Sequence, residues 1–183
     1  MFEYRILAHR GLWCDSLAPN SPQAIEAAFS KGFGVEIDLQ HFLGQLVLSH
    51  DVPITRTFVA DSFFSLLGKC DADALCALNI KSDGLIPWLI EHKGALERVD
   101  YFFFDMSIPE TVKYVRQGLR VALRVSDLEP LAGQQTLREW SGATTIWLDG
   151  LHSDWWLQEN PAELHPLGSR LVLVSPDLHG RQT

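Results

Sequence analysis

Short apolar runs alternate with amphipathic stretches along almost the whole chain. Tyr4 to Ala8 reads as a first strand, delivering His9-Arg10-Gly11 at its C-terminal end, and a loop follows to Asn20. Ser21-Pro22 then offers a capping hydroxyl and a proline in the first turn, so QAIEAAFSK reads as a helix that stops at Gly32. Gly34 to Leu39 is a second strand. Gly44 turns the chain, Gln45 to Ser49 is a further extended piece ending in His50, and residues 52 to 61 read as irregular. Ser62 to Lys69 is a short helix, Leu75 to Lys81 a third strand, and Ser82-Asp83-Gly84 opens a helix to about Lys93. The pattern goes on with a strand at Tyr101 to Met106, a helix at Pro109 to Gln117, a strand at Arg120 to Val125, a helix at Glu129 to Trp140 and a strand at Thr144 to Leu148. Residues 151 to 168 are Trp-rich and hold two prolines, so a helix there is short or broken, and Leu171 to Val174 is the last strand.

Strands alternating with helices predict an α/β fold with a parallel sheet covered by helices. The strand count, about seven apart from the piece at 45–49, predicts a TIM-type (β/α) barrel that is short and incomplete, with its eighth unit missing. An open doubly wound sheet is the alternative, but no Gly-rich nucleotide turn follows the first strand. At 183 residues the expectation is one domain, 1–183. A gap between the first and last strands would leave apolar surface, which predicts self-association across the open edge.

Composition narrows the function classes. The net charge of -8 argues against a general nucleic-acid or anionic-membrane binder, so a phosphate substrate has to be drawn by local cations. Cys14, Cys70 and Cys76 show no metal-ligand spacing, and an odd count suits free thiols in a reducing compartment. The first residues carry no signal-peptide core and no apolar run is long enough to cross a bilayer, so the expected location is the cytoplasm with no stable membrane insertion.

Polar residues gather where apolar strands end: His9 and Arg10, Glu36 and Asp38, Asn79 and Lys81, Asp105, Arg124 and Ser126, Asp149. In a parallel barrel those ends form the rim where catalytic groups collect. Glu36 and Asp38 lie two apart in a strand and share a face, roughly 6–7 Å apart along the chain. Like charges so placed repel unless a cation lies between them, and a divalent ion held by oxygen ligands is the economical answer. A polar strand face open to water is the competing reading of that pair. A carboxylate-held cation can polarise a phosphodiester. Arg10 and Lys81 can neutralise charge on its oxygens, and His9 and His50 can trade a proton with the attacking and leaving oxygens. His41, His92, His152 and His165 read as structural, and His179 is open.

Taken in order, His9-Arg10-Gly11, Asn20-Ser21, Glu36-x-Asp38, His50-Asp51 and Leu78-Asn79-Ile80-Lys81 resemble the glycerophosphodiester phosphodiesterase family, whose members are phospholipase C-like phosphodiesterases on a TIM barrel. The match is sharp over residues 6 to 51, weaker to 84, and beyond that rests on the strand–helix alternation. The resemblance implies that His9 and His50 are the acid–base pair, that Arg10 and Lys81 bind substrate phosphate, and that Glu36 and Asp38 are ligands for calcium or magnesium. It places Asn79 where the family commonly has a third, acidic metal ligand; an amide oxygen can coordinate but removes one negative charge. Pro19 replaces the glutamate that usually precedes the asparagine at 20, and the family's long insertion after His-Asp is nearly absent. The implied substrate is a small-molecule glycerophosphodiester, hydrolysed to an alcohol and a phosphomonoester through a cyclic phosphate. Two competing expectations are a binding protein on the same scaffold that does not turn over its ligand, and a truncated copy stable only with a partner.

Overall fold

In the computed structural model the described residues are 5–54, 58–70, 73–158 and 170–181. They form an α/β fold in two compact units, Met1–Glu110 and Thr111–Thr183. Among the described residues the strands make two sheets, one in each unit, and the ladders do not close into a barrel. The segment 159–169, which covers most of the expected Trp- and Pro-rich stretch, lies outside the described residues.

The first unit is organised around β2 (Gly34–Phe42). β2 pairs in parallel with β1 (Leu7–His9) and β5 (Leu75–Ile80), and β5 pairs in parallel with β6 (Asp100–Phe104). β3 (Gln45–Leu48) turns back antiparallel on β2, and β4 (Phe58–Val59) adds to β3. That last pairing corrects the expectation of an irregular stretch from 52 to 61: two residues of it complete an antiparallel ladder. β1 and β3 share one edge of β2. β1 occupies its first half, from Leu7↔Gly34 to His9↔Glu36, and β3 its second, from Leu39↔Leu48 to Phe42↔Gln45.

Every residue of β2 from Gly34 to Gln40, and all of β5, is buried, as expected for central strands covered on both faces. One face of β2 is aliphatic, with Val35, Ile37 and Leu39; the other carries Glu36, Asp38 and Gln40, all buried. The aliphatic side packs on α1 (Pro22–Ser30), which buries Ala24, Ile25 and Ala28 and is capped by the Ser21 hydroxyl, accepting from the Ala24 N–H at 3.2 Å. α2 (Asp61–Leu67) buries Phe63, Phe64 and Leu67 against α1 and against α4 (Lys93–Leu96), which follows α3 (Ile86–Glu91). The expected helix from Ser82 instead begins at Ile86, because Gly84 at φ +84° turns the chain and its N–H is held by Glu110 Oε1 at 2.9 Å. Gly34 is demanded by close approach: a Cβ there would come within 2.6 Å of Leu7 and 2.5 Å of the Leu75 carbonyl oxygen.

Helix α5 (Ile108–Arg116) carries the chain from the first unit into the second. There β7 (Ala122–Val125), β8 (Thr145–Leu148) and β9 (Arg170–Leu173) form a parallel sheet, with α6 (Leu131–Ser141) between the first two in sequence. No described helix is long and apolar enough to cross a membrane.

Candidate active site

The way β1 and β3 meet along β2 decides the geometry. β1 runs with β2 and hands over at Arg10, whose N–H donates to the Glu36 carbonyl at 2.8 Å. β3 runs against β2 and ends at Ser49, whose N–H donates to the Asp38 carbonyl at 3.1 Å. The two strands thus approach the same point from opposite directions, and His9 and His50, 41 positions apart in sequence, arrive there together. They are close enough for His50 to disfavour the protonated form of His9.

His9 stands beside Glu36 in register, with its Nε2 3.8 Å from Glu36 Oε2. Burial, then the Arg10 guanidinium, and also His50 and Lys81 push its pKa from 6.5 down to about 4, against a smaller opposing pull from Asp38. It is neutral at pH 7. His50 Nδ1 is bonded to Asp51 Oδ1 at 2.8 Å, which fixes the ring and leaves Nε2 as its other nitrogen. Gln40, the third polar residue of β2, donates to the Asp51 carbonyl at 2.9 Å and ties this loop to the strand.

Asp38 is fully buried between two cations. Arg10 Nε lies 3.2 Å from Oδ2 and Lys81 Nζ 3.4 Å from Oδ1; Lys81 also faces Asp105 Oδ2 at 3.7 Å. Asn20 clamps the same carboxylate, donating from Nδ2 to Oδ2 at 2.8 Å while its Oδ1 accepts the Asp38 N–H at 3.1 Å. Arg10, Asn20 and Asp105 all hold left-handed backbone, φ +58°, +59° and +71°. Such conformations cost about 1 kcal/mol or more each in a non-glycine residue and cluster where function positions a side chain. Gly11, at φ +82°, has no room for a Cβ, which would fall 2.7 Å from the Ala24 carbonyl carbon of α1.

Glu36, Asp38 and Asn79 share one face, since Asp38 and Asn79 are register partners across β2 and β5. Burial, and then the nearby Asp38 charge, raise the Glu36 pKa from 4.5 to about 8, despite hydrogen bonds from the Asn79 amide and the Arg10 N–H. Asp38 Oδ1 and Asn79 Oδ1 are buried and accept no hydrogen bond. Two buried oxygens without a hydrogen bond, the Asp38 one with only the Lys81 ammonium at 3.4 Å, beside a carboxyl that keeps its proton are the donor set a hard divalent cation fits. The third donor is an amide, so among the described residues no group of three His, Cys, Asp or Glu is assembled.

All seven sequence-derived residues, His9, Arg10, Glu36, Asp38, His50, Asn79 and Lys81, therefore lie in one unit, at the C-terminal ends of β1, β3 and β5 and along the polar face of β2. The sequence reading missed Gln40, although it continues the Glu36-x-Asp38 alternation by one more step. In the second unit, Arg124 is paired with Glu129, and Asp127 accepts N–H groups from Leu151, His152 and Ser153. His179 Nε2 donates to Asp149 Oδ1 at 2.6 Å. His41 and His92 are structural: His41 Nε2 accepts the Gly44 N–H and packs on Trp88, and His92 stacks on Phe64. His165 lies outside the described residues. Cys14, Cys70 and Cys76 are free thiols.

No family model matches the sequence, nor does any curated protein. Among solved structures the fold is similar to that of a phosphodiesterase from Oleispira antarctica, solved in complex with the product sn-glycerol-3-phosphate. The TM-score is 0.61 at 16% identity, covering 94% of this chain and 84% of that one. It is similar as well to a glycerophosphodiester phosphodiesterase from Agrobacterium tumefaciens, with a TM-score of 0.59 at 16% identity, covering 98% of this chain and 100% of that one. At this identity the likeness is one of fold, and its neighbours are the class of enzyme that the ordered motifs resemble.

Proposed function

We propose that the chain is a divalent-cation-dependent phosphodiesterase whose substrate is a glycerophosphodiester, hydrolysed to an alcohol and a phosphomonoester. The observation that carries this reading is the convergence of His9 and His50 beside a buried Glu36–Asp38–Asn79 oxygen set and two cations. Glu36, Asp38 and Asn79 would hold magnesium or calcium, which when bound polarises the phosphoryl group and offsets charge on its oxygens. Arg10 and Lys81, already gathered by Asp38, face the charge that grows on the equatorial oxygens. His9, neutral at pH 7, accepts the proton of a substrate hydroxyl next to the ester as that hydroxyl attacks phosphorus. His50, oriented by Asp51, gives a proton to the departing alkoxide, and water opens the resulting cyclic phosphate with the proton roles reversed.

For the fold we propose a short (β/α) barrel, with 1–183 as one domain. Its support is the parallel pairing of β1, β2, β5 and β6 in the first unit and of β7, β8 and β9 in the second, and the fold likeness to both neighbours. The free cysteines suit a cytoplasmic setting.

The test is release of the alcohol from a glycerophosphodiester by purified protein with added magnesium or calcium. His9→Ala and His50→Ala should each lower kcat by about 10²–10⁴-fold, and a chelator should abolish turnover. Full activity in both variants removes the reading. Asn79 favours one rival, a protein that binds a phosphodiester through Arg10 and Lys81 without cleaving it; calorimetric binding with no product after long incubation would select that rival.

A further inference from the structure

Beyond Leu39, its last partner to β5, strand β2 continues for three residues that pair only with β3. At about 3.3 Å per residue the hairpin tip therefore stands some 10 Å past the sheet's C-terminal edge, on the side where His9, His50 and Lys81 collect. The tip residue is Leu43, at φ +47° and 83% exposed. The strand returns to His50, and the next residues but one, Val52 and Ile54, are 77% and 91% exposed. On the other loop, after His9, Leu12 and Trp13 are exposed, and the Trp13 indole N–H is anchored to the His9 carbonyl at 2.9 Å. Each imidazole is thus followed within four residues by large apolar side chains held in water. The run from Val52 to Ala60, before α2, is too short to form a covering subdomain.

The charge around this rim is equally specific. Neither the stretch 11–20 nor 40–54 contains a lysine or arginine, although Arg10 directly precedes the first and Arg56 follows the second. Arg10 and Lys81 are committed to Asp38 inside the site, and the chain as a whole carries -8. An anionic surface would be repelled by such a protein, whereas a zwitterionic one would accept apolar side chains without needing cations.

We propose that this apolar rim inserts into a zwitterionic lipid surface, and that the phosphodiester the site takes is one that still carries an acyl chain and is met at that surface. This rests on the phosphodiesterase reading and adds the substrate class. The acyl chain stays in the lipid phase while the headgroup phosphate reaches down to His9 and His50.

The experiment compares the full chain with a Leu43→Ser/Val52→Ser/Ile54→Ser variant, whose changes lie on exposed positions and whose fold is checked by its melting temperature. The substrates are water-soluble glycerophosphocholine and micellar palmitoyl lysophosphatidylcholine, with flotation on phosphatidylcholine and phosphatidylglycerol vesicles alongside. The wild type should favour the micellar substrate, gain rate above its critical micelle concentration, and float with phosphatidylcholine vesicles. The variant should lose about 1,000-fold on micelles, since each of the three buried aliphatic side chains is worth roughly tenfold, and keep its rate on glycerophosphocholine. Equal micellar rates for the two proteins, or flotation only with phosphatidylglycerol, would overturn the inference. Turnover of glycerophosphocholine without turnover of the lipid overturns it while leaving the phosphodiesterase reading intact. Turnover of neither removes both.

Discussion

Asp38 is the residue on which the site's charges balance. With Arg10, Lys81 and Asn20 all directed at one fully buried carboxylate, Asp38→Asn would take away the counter-charge that Arg10 shares with Lys81 and leave Lys81 with Asp105. Breaking such a pair costs ~3 kcal/mol or more, so denaturant unfolding should show a clear fall in stability. Glu36 and His9 set the pH response. The folded Glu36 carboxyl keeps its proton to about 8, while an unfolded glutamate releases it near 4.5. Its contribution is whole below about 4.5 and drains away as pH climbs through about 8. His9 runs the other way: with a folded pKa of about 4 against 6.5 unfolded, its contribution is whole above 6.5 and is lost as pH falls through about 4. Without added cation, melting temperature should peak in the mildly acidic range, and Glu36→Gln should flatten the decline toward pH 8 while sparing the acid limb. Asn79→Glu restores a negative charge beside Asp38 and should tighten magnesium or calcium binding by at least about tenfold, read by calorimetry.

At the scale of elements, the site depends on how α1 and the turn after β1 are seated. The Ser21 cap and Pro22 fix where α1 starts, and Ser21→Ala should cost ~1 kcal/mol, seen as a lower melting temperature with activity retained. Gly11→Ala should do more. Its Cβ would drive into the α1 backbone from a left-handed conformation, and the relief must come from the turn that carries Arg10. We expect both reduced stability and a raised KM for that variant, whereas Ser21→Ala should leave KM unchanged. β2 itself was the most legible element. Its period-two alternation of Val35, Ile37 and Leu39 with Glu36, Asp38 and Gln40 can be read directly, because a strand's faces follow from its geometry alone. The pairing of β4 with β3 was not legible, since two residues carry no periodicity.

For the molecule as a whole, a cation that binds only the folded state must raise the melting temperature with the logarithm of one plus its free concentration over Kd. Magnesium or calcium should therefore stabilise the wild type more at pH 7 than at pH 5, because binding displaces the proton that Glu36 otherwise keeps. Equal stabilisation at both pH values would count against Glu36 as a ligand. If the chain is one barrel domain with an uncovered edge, calorimetry should give a single unfolding transition and light scattering should report self-association. Two separable transitions would favour independent folding of Met1–Glu110 and Thr111–Thr183.

The sequence by itself determined the order of strands and helices apart from β4, the Glu36 and Asp38 face of β2 and the identity of the residues now found together, since each of these is local: periodicity, caps and turn residues act over a few positions. Only tertiary structure decided that β1 and β3 divide one edge of β2, and so that His9 and His50 meet. It alone decided that Asn20 grips Asp38 from 18 positions away and that Asp38 gathers both cations. These are consequences of strand pairing and burial, and burial is what turns two adjacent acids into groups that need a proton or a cation to coexist.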